Sequence, residues 1–173
     1  MLFQPVKFVV LPGGKLPSRN PEHGVSDAGL DCYVRAIVST EPDEKTPSMR
    51  KTLWDFCNEY YSLLPGESVS VGLGFNVQIP FGMAGFIYPR GSSIVKNGER
   101  IHLKVLNKNP IDHGFTGEPW VELRNDGETE FSILHGSKLV QLVIQPVWCG
   151  PIREVGVIRG GPRGHKSNGS TGH

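Results

Sequence analysis

Apolar and polar positions alternate through most of this chain in short runs that end on Gly, Pro, Asn or Asp. Eight such runs are KFVVLPGG (7–14), CYVRAIVST (32–40), SVSVGLGFNVQIP (68–80), MAGFIYPRG (83–91), RIHLKVLNKNP (100–110), WVELRNDGE (120–128), EFSILHGSK (130–138) and LVQLVIQPVWCG (139–150). In the third run Val69, Val71, Leu73, Phe75 and Val77 keep a period of two, which turns one face inward and the other to solvent. Short strands at this spacing, separated by turn residues, predict an all-β sandwich or barrel. Asn97-Gly98 and Asp126-Gly127 supply residues suited to tight hairpins. One stretch departs from the period. TPSMRKTLWDFCNEYYS (46–62) sets Met49, Leu53, Phe56 and Tyr60 at helical spacing after Thr46 as N-cap and Pro47 at the first helical position, and predicts one helix inserted between strands.

Composition narrows the class. With 173 residues, 38% of them hydrophobic, and a formal charge of +1, the chain can bury one core and has no bias toward nucleic acid or membrane. Cys32, Cys57 and Cys149 are odd in number, far apart and free of CxxC spacing, so they read as reduced thiols rather than a disulfide framework or a zinc site. The N-terminal apolar run is too short for a signal peptide, and no stretch reaches the ~18–20 apolar residues of a membrane span. The expectation is a soluble cytoplasmic protein. The last residues differ from all that precede them: RGHKSNGSTG (163–172) has almost nothing to bury, yet offers Arg163, Lys166, Ser170 and Thr171 among glycine amides, groups suited to phosphate oxygens. A disordered polar terminus is the plain alternative.

Five motifs carry the functional signal: DAGLDCYVRA (27–36), YPRGSSIVKNG (88–98), NPIDHGFTGE (109–118), GSKLVQLVIQP (136–146) and RGHKSNGSTG. In this order they resemble the five motifs of the trimeric dUTPase family, within the dUTPase/dCTP deaminase superfamily, and LLPGESVSVGLGFNVQIPFGMAGFIYPRG resembles the family's approach to the second. The resemblance covers nearly the whole chain except about residues 41–61. It implies a distorted jelly-roll-like β-barrel over residues 1–158, carrying that helical insert, and a glycine-rich lid over 159–173. It further implies a homotrimer with shared active sites that hydrolyses dUTP to dUMP and pyrophosphate with Mg²⁺.

The resemblance also assigns roles. Asp112 positions the attacking water, and Phe115 packs on the deoxyribose where the family usually has Tyr. Backbone groups of the hairpin near Asn107–Phe115 read uracil, with Asn107 as a further amide contact. Arg90, Gly91, Ser92, Ser93 and Gln141 take phosphate oxygens. In the lid, Arg163, Gly169, Ser170 and Thr171 close over the triphosphate. Asp31 orients partner groups or meets magnesium through water. Each residue has a plainer role open to it: a turn for Asp112 or Asp31, the core for Phe115, a surface ion pair for Arg90. Asn168 departs from the family, which places a Phe there to stack on the base.

Two rival functions belong to other classes. Glu122 within WVELRN, with Arg90–Ser93 and the Asp-His-Gly-Phe run, is similar to a dCTP deaminase or a bifunctional enzyme of the same fold, in which that glutamate is general acid and base. Against it, Gly91 interrupts the deaminase pattern, and Lys96 stands where that pattern has a second Arg. The other rival is a nucleotide-sensing protein that binds a partner through the 41–61 insert.

Overall fold

The computed structural model describes residues 4–56, 60–91, 95–96, 99–100, 102–107 and 109–158. The strands are β1 (Lys7–Val10), β2 (Gly29–Cys32), β3 (Ala36–Pro42), β4 (Arg50–Trp54), β5 (Tyr61–Leu63), β6 (Ser68–Gly72) and β7 (Phe75–Gln78). After these come β8 (Met83–Pro89), β9 (Val95–Lys96), β10 (Glu99–Arg100), β11 (Leu103–Val105), β12 (Trp120–Asn125), β13 (Phe131–Ile133) and β14 (Val140–Pro146). A five-stranded sheet β11-β12-β6-β3-β4 and a three-stranded sheet β2-β14-β8 form the main layers, with β1-β7, β5-β13 and β9-β10 as paired ribbons. The all-β class expected from the pattern is the class observed, in the jelly-roll-like form that the resemblance implies. No helix among the described residues is long and apolar enough to cross a membrane.

The period-two run behaves as its spacing predicts: Val69, Val71, Leu73, Phe75 and Val77 are all buried. It is one run but two strands. Gly74 adopts φ +72°, a left-handed conformation that costs a residue without Cβ little, and the chain switches there from β6 to β7. On β12 the same alternation buries Val121, Leu123 and Asn125 and leaves Trp120, Glu122 and Arg124 partly open. Leu63, Leu73, Phe75, Leu123, Ile133 and Leu142 lie at the centre of the core. Each such side chain contributes about 1.5–3 kcal/mol relative to exposure.

The predicted helix is not there. Arg50–Trp54 is strand β4, antiparallel to β3, with Trp54 opposite Ile37 and Thr52 opposite Val38. The Asp43 carboxylate accepts the N–H groups of Lys45 and Thr46, and Asp43 donates its own N–H to Met49 O, so a side chain turns the segment back before a helix can start. The four apolar residues share no buried face, since Phe56 is buried while Leu53 and Tyr60 are more than half exposed. Helical spacing alone misled because the chain met the open edge of β3, where Thr52 and Trp54 suit a strand. Residues 57–59 lie outside the described residues.

Asp126-Gly127 is a second correction. β12 pairs with β11 and β6, not with β13, and Gly127 is not among the positive-φ glycines. Asn125 governs the crossing: its Oδ1 accepts from Gly127 N, and its Nδ2 donates to Leu63 O and Thr129 O. Asn97-Gly98 lies outside the described residues, between β9 and β10, which pair antiparallel.

Candidate functional site

The loop from 106 to 119 joins β11 to β12 and carries the third motif. Ile111 exchanges backbone hydrogen bonds with Gly85 in the middle of β8, and this bridge fixes the loop against the three-stranded sheet. Gly85 permits the approach, because a Cβ there would meet Ile79 and Leu142 at 2.8 and 3.0 Å. Just past the bridge, Asp112 is exposed, and its carbonyl accepts from Phe115 N at 3.0 Å in a tight turn. Phe115 is half-buried against the core.

Asp112, Phe115 and Asn107 open on one cavity of about 240 Å³, walled also by Arg50, Ile87 and Trp120. Thus the structure brings together the residues that the resemblance marks for the water, the sugar and the base. The Asn107 amide is committed to the framework: Nδ2 donates to Trp120 O at 3.1 Å and Oδ1 accepts from Glu122 N at 2.7 Å. Its side chain therefore anchors the cavity wall to β12. A larger cavity of about 410 Å³, lined by Lys7, Gln78, Phe81 and His113 among others, holds none of the predicted residues. Size does not locate the chemistry here.

The phosphate candidates form a second cluster on the β2-β14-β8 sheet. Asp31 on β2 accepts from Arg90 Nε at 2.6 Å through Oδ1 and pairs with Lys138 Nζ at 3.3 Å through Oδ2. Arg90 also donates Nη1 to Lys138 O. Gln141 lies opposite Asp31 on β14; its Nε2 donates to Pro89 O at 3.3 Å, and its side chain fills the space that a Cβ at Gly29 would need. Gly91 is exposed at the end of β8. Lys138 and Lys15 both lie over the Tyr33 ring, at 5.4 and 5.5 Å. Arg90 and Lys138 thus share one carboxylate that orients both, and Lys15 adds a third positive charge across Tyr33. Sequence reasoning missed Lys138, Lys15 and Tyr33; the places of Tyr33 within the first motif and of Lys138 within the fourth could have pointed to those two, and nothing marked Lys15.

Among the described residues the two clusters do not meet within one chain. Gly85, bridged to Ile111, and Arg90 are five residues apart on and just beyond β8, about 16 Å at the rise of a strand. Arg90, Asp31 and Gln141 do not line the Asp112 cavity, and neither does Glu122. Among the described residues no cluster of His, Cys, Asp and Glu could hold a metal ion by itself. Ser92, Ser93, Arg163, Asn168, Gly169, Ser170 and Thr171 lie outside the described residues.

One further pair lies under the site. Arg35, at the end of the first motif, donates Nε and Nη2 to the two oxygens of Glu118, at the end of the third, at 2.8 and 3.0 Å. Both residues are buried.

Comparison with known proteins decides the family. A family model described as dCTP deaminase-like matches residues 22–147. The deoxyuridine 5'-triphosphate nucleotidohydrolase of Mycobacterium leprae is 31% identical over 164 residues, covering 94% of this chain and 87% of that protein. The chain belongs to the dUTPase family. The nucleotidohydrolase of the same name from Clostridium tetani is 34% identical over 118 residues, or 68% of this chain and 79% of its own. Among solved structures, the Staphylococcus bacteriophage 80alpha dUTPase with dUPNHPP superposes with a TM-score of 0.72 over 99% of this chain and all of that one, at 22% identity. A variant dUTPase from phage phi11, described with a structural Mg(II) ion, gives a TM-score of 0.66 over 91% of the chain at 20% identity. Both likenesses establish the dUTPase fold here.

Proposed function

We propose that this dUTPase-family protein hydrolyses dUTP to dUMP and pyrophosphate. The observation that carries the reading is the cavity in which an exposed carboxylate, Asp112, stands beside the Phe115 ring and the backbone of the 106–119 loop. In the reaction one water is consumed, the bond between the α- and β-phosphates breaks, and pyrophosphate leaves with the electron pair. Asp112 holds the water and takes its proton. Phe115 packs against the sugar and leaves no room for a 2′-hydroxyl. Arg90, Lys138 and Gln141 hold phosphate oxygens, with Asp31 aiming the two cations.

The donor set is compatible with Mg²⁺ that arrives on the nucleotide, since both Asp31 oxygens already face cations and the triphosphate supplies the oxygens such an ion prefers. Bound with the triphosphate, such an ion would supply positive charge against the leaving pyrophosphate. Asp31 contributes to it through water.

The separation of the Asp112 cavity from the Arg90 cluster supports a homotrimer in which one chain's base cavity faces another chain's phosphate groups. Residues 159–173 complete each site as a lid bearing Arg163, Gly169, Ser170 and Thr171. A cytoplasmic enzyme without nucleic-acid or membrane partners fits the balanced charge. On the open edge of β4, Leu53 and Trp54 are exposed, which favours a protein partner there as a second role. The test of the shared site is complementation. Mixing an Asp112→Asn chain with a chain truncated before Arg163, each inactive alone, restores pyrophosphate release if sites are built from two chains; a monomeric mass in solution or no restoration overturns the trimer.

A further inference from the structure

Strand β4 and the turn before it, within the stretch of about 41–61 that the family resemblance leaves uncovered, are bonded to Glu118 of the site loop at two points. Glu118 donates its backbone N–H to Ser48 O at 3.0 Å, and its Oε2 accepts from Arg50 N at 2.9 Å. Arg50 O accepts from Arg35 Nη2 at 3.4 Å. Thr52 Oγ1 accepts from Arg35 Nη1 as well. Glu118 and Arg35 are only 1% and 6% exposed, so the backbone of Arg50 is fixed by a buried network rather than by a surface contact.

From that fixed backbone the Arg50 side chain reaches the Asp112 cavity as part of its wall. Its guanidinium lies 5.9 Å over the Trp120 ring, and Nη1 donates to Thr40 O at 2.6 Å. Among the described residues, Nε and Nη2 have no hydrogen-bond partner, and no carboxylate lies within ion-pair reach. The guanidinium is open to solvent, and the protein leaves two of its donors to water or to an acceptor that a ligand in the cavity brings.

We infer that Arg50 is a specificity-determining residue of the nucleotide site, whose uncommitted donors hydrogen-bond the 4-keto oxygen of the pyrimidine and so favour uracil over cytosine. This rests on the dUTP reading and deepens it. A guanidinium donates and never accepts. It therefore complements the 4-keto oxygen of uracil and opposes the 4-amino group of cytosine, donor against donor. The rival acceptor is the α-phosphate, which the Asp112 water must also reach from this cavity, and because it is common to dUTP and dCTP a contact to it would not discriminate between the two bases.

The test is steady-state pyrophosphate release from dUTP and from dCTP by the full-length wild type, Arg50→Met and Arg50→Lys. Arg50→Met keeps the main-chain bonds to Glu118 and Arg35, so the fold persists. The kcat/KM for dUTP falls about tenfold or more in Arg50→Met, carried by KM, while that for dCTP changes less than about twofold, as expected for loss of a hydrogen bond that only one base can complete. Arg50→Lys, which keeps a donor without the planar fork, falls between. An unchanged ratio of the two nucleotides, including equal losses for both as a phosphate contact or a purely structural role would give, overturns the inference. Release from dUTP by the wild type checks the underlying hydrolase reading separately.

Discussion

Glu118 and Arg35, 83 residues apart in sequence, meet in a two-bond contact at 2.8 and 3.0 Å with both side chains buried. The same carboxylate accepts the N–H groups of Arg50 and Gly74, at 2.9 and 3.0 Å. One side chain thus ties together the end of the site loop, the β3-β4 hairpin and the β6-β7 switch. Such a pair carries a desolvation cost that offsets much of its attraction, so its value lies in fixing one geometry.

Breaking this pair from one side leaves a buried guanidinium uncompensated. Glu118→Gln keeps the volume and loses the charge, and is expected to destabilise the fold by about 3–5 kcal/mol. Urea unfolding followed by intrinsic fluorescence measures it. A loss below about 1 kcal/mol, the range of exposed pairs, would show that the contact is open to water.

Gly72 is the second lever on the same network. A Cβ there would sit 2.6 Å from Glu118 Oε1 and 3.0 Å from Val38 Cγ1. Gly72→Ala should therefore cost about 1–3 kcal/mol as overpacking. The variant's midpoint in urea should fall with an unchanged slope, whereas a neutral result would mean that the carboxylate can shift without loss.

Asp31 is exchangeable in a more selective way. Asp31→Asn removes the carboxylate that aims Arg90 and Lys138 while leaving the Asp112 cavity alone. Affinity for the triphosphate should drop several-fold more than affinity for the nucleoside deoxyuridine, measured by calorimetry. Equal effects on both ligands would remove the cluster from the phosphate site.

The thiols should divide by burial. Burial pushes the Cys32 thiol up to about 12, so at pH 8 it stays protonated and shielded, while Cys149 is exposed. Iodoacetamide at that pH, followed by peptide mass mapping, is expected to label Cys149 and spare Cys32 in the native protein. Rapid labelling of Cys32 would mean that β2 opens readily.

Much of the architecture was legible in the alternation of apolar residues, because a strand buried on one face must repeat every second position, as Val69 to Val77 do. The β4 strand was not, since its outcome depended on the vacant edge of β3 and on the Asp43 turn, neither of which a helical spacing reveals. Asp112, Asn107 and Phe115 could be read as neighbours because one loop carries them. The Arg35–Glu118 contact could not, because nothing in two distant opposite charges says that they will be buried together. The division between the Asp112 cavity and the Arg90 cluster was equally invisible, being set by where along β8 each one attaches.

The hydrolase and deaminase readings assign the chemistry to different carboxylates, Asp112 in the cavity and Glu122 on β12 outside its lining. A backbone that offers uracil a donor at the 4-position and an acceptor at N3 leaves cytosine with two mismatches, and about 1–3 kcal/mol for each gives dUTP a preference on the order of 10²–10⁴. The decisive measurement follows pyrophosphate and ammonia together, with dUTP and dCTP plus Mg²⁺, for the wild type, Asp112→Asn and Glu122→Gln. The account predicts pyrophosphate from dUTP, abolished in Asp112→Asn and persisting in Glu122→Gln, with no ammonia from dCTP. Ammonia released from dCTP by the wild type and absent with Glu122→Gln would contradict it.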